Sequence, residues 1–464
     1  MKRVAMVGFL GALVMASCGG TSSGGSAASV PSSPAAAAKA APSGAGSTKP
    51  AAAAPGAKAS AGAKGPIKIG VILPLTGPQS SAGKDNEDGL KLFLSSVHNT
   101  IAGRTIEPLF ADDQFQADVA LTKAKELVDN QHAAALMGFT ATPSGYAVAQ
   151  WVQQTAHVPM LITSNSGGEG MLTDAKFKSP YLTRWTQTAT EIVDVAADWA
   201  LKQGFRKAGI FVSDYAAGVQ NADIFSSTFI RGGGSIVQEQ YPPLGTTDYG
   251  PFLAQLNPAT DVLFTFLPGA DGLRFADQYD TYAGQHKPQI IDSFGVIVSG
   301  PNLAQLKEKA VGIAAVDVFS QASDDPGSQA FVKAWQAANP GRLLSHDAAG
   351  GYMSGQVLSA ALDKVGGAIE NSQPFLQALY GVSIDSAKGP VKLDANHDIT
   401  QDIKVFRIVK NGSGVGYQLA DTYHDVTDTR VRSAAEIAKF PWEKFKGKWV
   451  GMSKEQLAAS LKSQ

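Results

Sequence analysis

The stretch IKIGVILPLTGPQSSAG, residues 67–83, decides the fold. Ile67 to Leu73 is a nearly unbroken apolar run ended by Pro74, the pattern of a strand buried on both faces. A polar, Gly-rich loop follows at residues 76–83. Leu90, Phe93, Leu94 and Val97 then recur at helical spacing. Strand, loop and helix in that order make the first unit of a parallel sheet, because parallel neighbours need a crossover helix.

The alternation continues down the chain. Strands are expected near Ile106 to Asp112, Ala134 to Met137 and Pro159 to Ile162, with helices over residues 117–128 and 144–155. After Tyr181-Leu-Thr-Arg-Trp185 it restarts with a helix at Glu191 to Gln203 and a strand at Lys207 to Val212. It runs on to strands at Asp261 to Leu267, Gln289 to Asp292 and Gly312 to Val318. Two similar α/β halves in tandem predict two doubly wound parallel-sheet lobes with a cleft between them. Ligands of open parallel sheets sit beyond the carboxyl ends of the strands. The informative loops are therefore residues 76–83, 138–144, 163–170, 213–218, 268–271 and 293–298. They are rich in Gly, Ser and Thr, which make turns and also offer N–H and hydroxyl groups at helix starts.

The first 65 residues carry a different message. Lys2 and Arg3, a short apolar run from Val4 to Val14, and Cys18, the only cysteine, read as an export signal too short to span a bilayer. The arrangement resembles a bacterial lipoprotein signal with Cys18 lipidated. Residues 19–65 are mostly Ala, Ser, Gly, Pro and Lys and cannot bury enough apolar surface to offset their ordering entropy, so a tether is expected. With one cysteine, no disulfide or thiolate metal site is available. A formal net charge of −1 with 17% charged residues gives no footprint for nucleic acid. No Gly-x-Ser-x-Gly elbow between a strand and a helix, and no His-Glu-x-x-His or phosphate-loop motif, occurs, and His346-Asp347 and His397-Asp398 are neighbours in sequence, which does not make a catalytic dyad. The expectation is a binding protein without metal or cofactor rather than an enzyme.

The segments IGVILPLTGPQSSAGKDNEDGLKL, the MGFTATPSG loop, VPMLITSNS, Asp214-Tyr215-Ala216-Ala217-Gly218, GYMSGQVLSAAL from Gly351, and Gly389-Pro-Val-Lys-Leu-Asp occur in that order. Together they resemble the type I periplasmic solute-binding proteins of ABC importers, in the branch serving branched-chain amino acids, amides and related organic acids. No single motif is diagnostic; their order is. The resemblance implies a three-crossover hinge near Arg184, Val318 and Leu393. It implies a first lobe of residues 66–184 and 319–393, a second of 185–318 and 394–425, and a tail of 426–464. It also implies a monomer that delivers a small molecule to an ABC permease while held at the membrane by its lipid. A ligand-sensing receptor of the same fold is the competing role.

Carried over residue by residue, the family's carboxylate site falls on Thr140, Ala141 and Thr142 and on Asn165, Ser166 and Gly167. Helix capping is the other role for Thr140 and Thr142. Ser81 and Tyr215 are further contacts, and Tyr352 is expected to face the cleft rather than the core. Ala82 and Ala217 stand where relatives carry rings, which enlarges the pocket. Phe294 stands where amino-acid binders place an acid opposite the ligand's ammonium, with Asp292 or Asp271 as substitutes. An ammonium group buried without a counter-charge is costly. An apolar or aromatic carboxylate is therefore expected to bind at least as well as an α-amino acid.

Overall fold

The computed structural model describes residues 65–462 apart from 78, 165–167, 169–170, 175, 285–286, 413 and 441–443. The signal, Cys18, the tether, and the site expectations at Asn165 and Ser166 lie outside the described residues.

The first lobe is built from β1 (Ile67–Leu73), α1 (Ser80–Ser96), β2 (Thr100–Ile101), β3 (Arg104–Asp112), α2 (Ala117–Lys125), β4 (Ala135–Gly138), α3 (Thr142–Trp151), β5 (Met160–Ile162) and β6 (Leu182–Arg184). Its sheet has the order β2-β3-β1-β4-β5-β6 and is parallel except for the short β2–β3 hairpin. Six of the seven residues of β1 are buried, as the apolar run of the opening stretch requires.

The second lobe begins with α4 (Ala189–Lys202), β7 (Lys207–Val212), α5 (Ala216–Arg231), β8 (Ser235–Gln240), α6 (Gly250–Leu253), β9 (Val262–Phe266), α7 (Ala270–Tyr282), β10 (Gln289–Ser293), α8 (Gly300–Leu306) and β11 (Ala314–Asp317). The chain then forms α9 (Pro326–Ala338), α10 (His346–Lys364) and α11 (Ser372–Tyr380), and α10 lies along α1. It ends in β12 (Ser383–Ser386), β13 (Gly389–Leu393), β14 (Ile399–Asn411), β15 (Gly414–Val426), α12 (Ala434–Lys439) and α13 (Lys454–Lys462).

The second sheet has the order β12-β13-β14-β11-β10-β9-β7-β8, with β15 on β14. Its parallel part is the doubly wound sheet expected for this lobe. Strands β7 to β11 are parallel, whereas β11–β14 and every pair beyond are antiparallel; β12 to β15 follow one another with no helix between them, as antiparallel neighbours allow, and α9 to α11 separate β11 from them. Hydrogen bonding also places β12 and β13 in this sheet, so the chain has entered it by Ser383, ahead of the expected crossover at Leu393.

The segment after residue 426 is no appended tail. Phe440, Phe445, Trp449 and Leu457 are buried in the main core. Arg432 is buried against Asp194, Ser227 and Thr228, and the Trp449 indole N–H donates to Asp223 at 2.8 Å. Glu239, on the edge strand β8, accepts the N–H groups of Gly447, Trp449 and Val450, so the segment covers that sheet edge.

The contact of α10 with α1 aims the site. A Cβ on Gly89 would fall 2.0 Å from the Ala348 carbonyl oxygen, and one on Gly351 would fall 1.9 Å from that of Asn86. Only glycine permits so close an approach. It brings the N-terminus of α10 to the carboxyl ends of the first-lobe strands.

Candidate functional site

A cavity of about 460 Å³ opens between the carboxyl ends of the two sheets. One wall comes from the first-lobe loops. The loop after β1 is held by Asp112, whose carboxylate accepts N–H groups from Leu75 at 2.8 Å and Thr76 at 3.2 Å, and the Thr76 hydroxyl at 2.6 Å. This places Gln79, Ser81 and Ala82 on the cavity. After β4, Gly138 has φ +109° and Phe139 φ +69°, and a Cβ on Gly138 would strike the Ile72 carbonyl at 2.4 Å. That sharp turn presents Thr140 and Thr142. The Thr140 Oγ1 lies 2.9 Å from Ser164 Oγ, and Gly138 N–H donates to Thr163 Oγ1 at 3.2 Å, which ties the loops after β4 and β5 together.

The opposite wall is aromatic. Tyr215, Phe266, Phe294, Phe319, Phe406 and Tyr417 all line it. Phe266 has ring centroids 6.3 Å from Tyr215, nearly parallel, and 5.7 Å from Phe294. Phe294 and Gly295 both take positive φ, +60° and +58°. A phenylalanine in the left-handed region is strained, and such strain gathers at ligand sites.

The predicted residues divide as follows. Ser81, Thr140, Thr142, Tyr215 and Phe294 line the cavity, as do Ala82 and Ala217. Ala141 is buried and is not among the lining residues; its carbonyl accepts the Gly145 N–H at the start of α3. Tyr352 requires correction. Its ring packs on Phe93 at 5.4 Å and Phe331 at 5.2 Å, between α1, α9 and α10, and is not part of the cavity lining. On a helix buried around most of its girth, an aromatic finds ring partners in the core as readily as a cleft.

The residues of α10 that do reach the cavity are Ser345, His346 and Asp347, at its start. Ser345 caps the helix, accepting the Ala348 N–H at 3.2 Å, and donates its hydroxyl to Asp85 at 2.7 Å. His346 Nδ1 lies 2.8 Å from Asp317 Oδ2 at the end of β11, an ion pair between the lobes. Burial works against a charged imidazole here, but Asp317 and then Asp347 outweigh it and raise the pKa to about 9. His346 is therefore cationic at neutral pH. Sequence adjacency to Asp347 hinted at none of this, since the partner that orients the ring is Asp317.

Four acids near the cavity, Asp317, Asp85, Asp292 and Asp271, already hold partners. Asp317 also accepts the Val318 N–H at 2.7 Å, and Asp85 pairs with Arg342. Asp292 turns away to accept the Ile297 and Val298 N–H groups at 2.8 and 3.1 Å, and Asp271 accepts the Gly245 N–H at 2.9 Å. Neither Asp292 nor Asp271 lines the cavity. Behind the floor, fully buried Lys388 donates to Gln187 Oε1 at 3.0 Å, and desolvation lowers its pKa to about 8.

Two α/β lobes with a cavity at the facing carboxyl ends of their sheets define a solute-binding protein. The chain matches the periplasmic binding protein family over residues 66–413 and belongs to it; this is a family of extracytoplasmic binding proteins, not enzymes. It is 29% identical over 358 residues to "Leu/Ile/Val-binding protein homolog 6" of Brucella melitensis, covering 76% of this chain and 90% of that one. Among solved structures it is similar to an ABC transporter substrate-binding protein from Sphaerobacter thermophilus, with a TM-score of 0.74 and 30% identity over 78% of this chain and 99% of the other. It is also similar to a solute-binding protein of an ABC transporter from Rhodopseudomonas palustris in complex with 3,4-dihydroxybenzoic acid, with a TM-score of 0.70 and 29% identity over 78% and 98%. No helix among the described residues is long and apolar enough to cross a membrane.

Proposed function

We propose that this protein captures a small aromatic carboxylate outside the cytoplasm and delivers it to an ABC permease, held at the membrane by a lipid on Cys18. The observation that carries the reading is the make-up of the lining: the hydroxyl-bearing residues Ser81, Thr140 and Thr142 line the same cavity as Tyr215, Phe266, Phe294, Phe319, Phe406 and Tyr417. The hydroxyl wall suits a carboxylate, and the ring wall suits a flat apolar body, where aromatic pairs add about 0.5–1.5 kcal/mol beyond burial. An α-amino acid fits less well. Asp317 and Asp85 have both carboxylate oxygens occupied, and the His346 imidazolium repels an ammonium group. The ring acid bound by the Rhodopseudomonas relative supports the same class. The cleft between lobes supports closure over the ligand.

Thr140→Val keeps the side-chain shape and removes the hydroxyl. It is expected to weaken benzoate binding about tenfold, the loss of one hydrogen bond to a charged group, or ~1.4 kcal/mol. Calorimetric titration checks this. Unchanged affinity in the variant places the carboxylate elsewhere.

A further inference from the structure

The loop between β3 and α2, residues 113–116, brings Phe115 to the cavity. Among the described loops of the first sheet, it contributes the one aromatic side chain of the lining; the other rings come from Tyr215 onward. Its ring is 38% exposed, stacks on no other ring among the described residues and takes no part in the hydrophobic cores. A single exposed phenylalanine is ordinary on a protein surface. This one is held out by its backbone. Gln114 and Phe115 take consecutive positive φ, +52° and +62°, and of the described non-glycine residues in that region only Phe115 and Phe294 line the cavity. Two neighbouring carboxylates fix the turn: Asp112 accepts the Gln114 N–H at 2.9 Å, and fully buried Asp113 accepts the Phe115 N–H at 3.0 Å. Asp112 also holds Leu75 and Thr76, so the loop that carries Ser81 and the loop that carries Phe115 share one anchor. A bulky residue kept in left-handed backbone, with its ring on the cavity and no ring to pack against, is a cost to the unliganded protein that a ligand can offset.

We propose that Phe115 covers the ligand's ring from the first lobe and selects a flat ring over a puckered apolar body of similar size. This deepens the aromatic-carboxylate reading and rests on it. A flat ring bound against the second-lobe rings of Tyr215, Phe266 and Phe294 keeps a second face, and a first-lobe phenylalanine gives that face an aromatic partner. Offset or edge-on ring contact adds to burial only when both partners are aromatic. A saturated ring is thicker and gains burial alone. Because the Phe115 ring has no packing partner to lose in the unliganded protein, its removal costs affinity and not fold stability.

The test is calorimetry with benzoate and cyclohexanecarboxylate on the wild type, Phe115→Ala and Phe115→Leu, together with the melting temperature of each unliganded protein. The wild type is expected to bind benzoate at least about tenfold more tightly than cyclohexanecarboxylate, and Phe115→Ala to weaken benzoate about tenfold. Phe115→Leu keeps an apolar side chain and removes the aromatic ring. In both variants the preference for benzoate is expected to fall at least about threefold, with melting temperatures within about 2 °C of the wild type, as for a surface substitution that breaks no packing. Benzoate affinity unchanged in Phe115→Ala, or a loss by the same factor for both acids, overturns the role of Phe115 and leaves the aromatic-carboxylate reading standing. Failure of benzoate to bind the wild type, or binding no tighter than cyclohexanecarboxylate, overturns that reading and the role of Phe115 with it.

Discussion

Arg184→Ala is expected to lower the free energy of unfolding by about 3–5 kcal/mol, the usual cost of removing one member of a buried ion pair. Arg184 ends β6 at the first passage between the lobes and is fully buried. Its guanidinium forks onto Asp398, with Nε to Oδ1 at 2.8 Å, reaches Asp428 at 2.8 Å, and donates to the Gly168 carbonyl at 2.9 Å. Asp398 immediately precedes β14 and Asp428 follows β15, so one cation ties together the exit from the first sheet and both ends of the last hairpin. Burial already pushes Asp398 up to about 7 and Glu191 well above the carboxylate range, with Asp428 adding to the effect on both. Without the arginine the acids can persist only by taking up protons. Urea denaturation of the variant, compared with Arg184→Met combined with Asp398→Asn and Asp428→Asn, checks the argument. The triple variant should recover much of the loss; a single variant that loses less than about 1 kcal/mol would show the cluster to be solvated.

Gly351→Ala carries the next largest effect. The added methyl would meet the Asn86 carbonyl at 1.9 Å, and backbone cannot step aside as a flexible side chain can. The helices α1 and α10 must separate, at about 3 kcal/mol, the upper part of the range for overpacking. Because α10 begins at the cavity with His346 and Asp347, the same shift should weaken ligand binding. A melting temperature and ligand affinity equal to the wild type would show that the two helices slide without consequence.

What the sequence disclosed and what it hid follow from the range of the interactions involved. The run Ile67 to Leu73 announced its strand because burial on both faces leaves a local record. The Gly- and Ser-rich loops declared themselves for the same reason, and five of the assigned positions, from Ser81 to Phe294, do line the cavity. Tyr352 misled because α10 is buried around most of its girth, so periodicity does not say which turn faces the cleft. Asp317 and His346 are distant in sequence, as are Arg184 and Asp428, and such pairings leave no local pattern. The segment after residue 426 looked like a tail because its core residues Phe440, Phe445 and Trp449 recur at neither a helical nor a strand period.

The central claim is that the cavity holds an aromatic carboxylate between a hydroxyl wall and a ring wall. The most direct measurement is titration calorimetry of the unliganded wild-type protein with 4-hydroxybenzoate and with leucine under identical conditions. Saturable binding of 4-hydroxybenzoate, at least about tenfold tighter than leucine, is the predicted result. Tight binding of leucine with no heat from 4-hydroxybenzoate would contradict it, and would mean that Asp347 serves an ammonium group despite the imidazolium beside it.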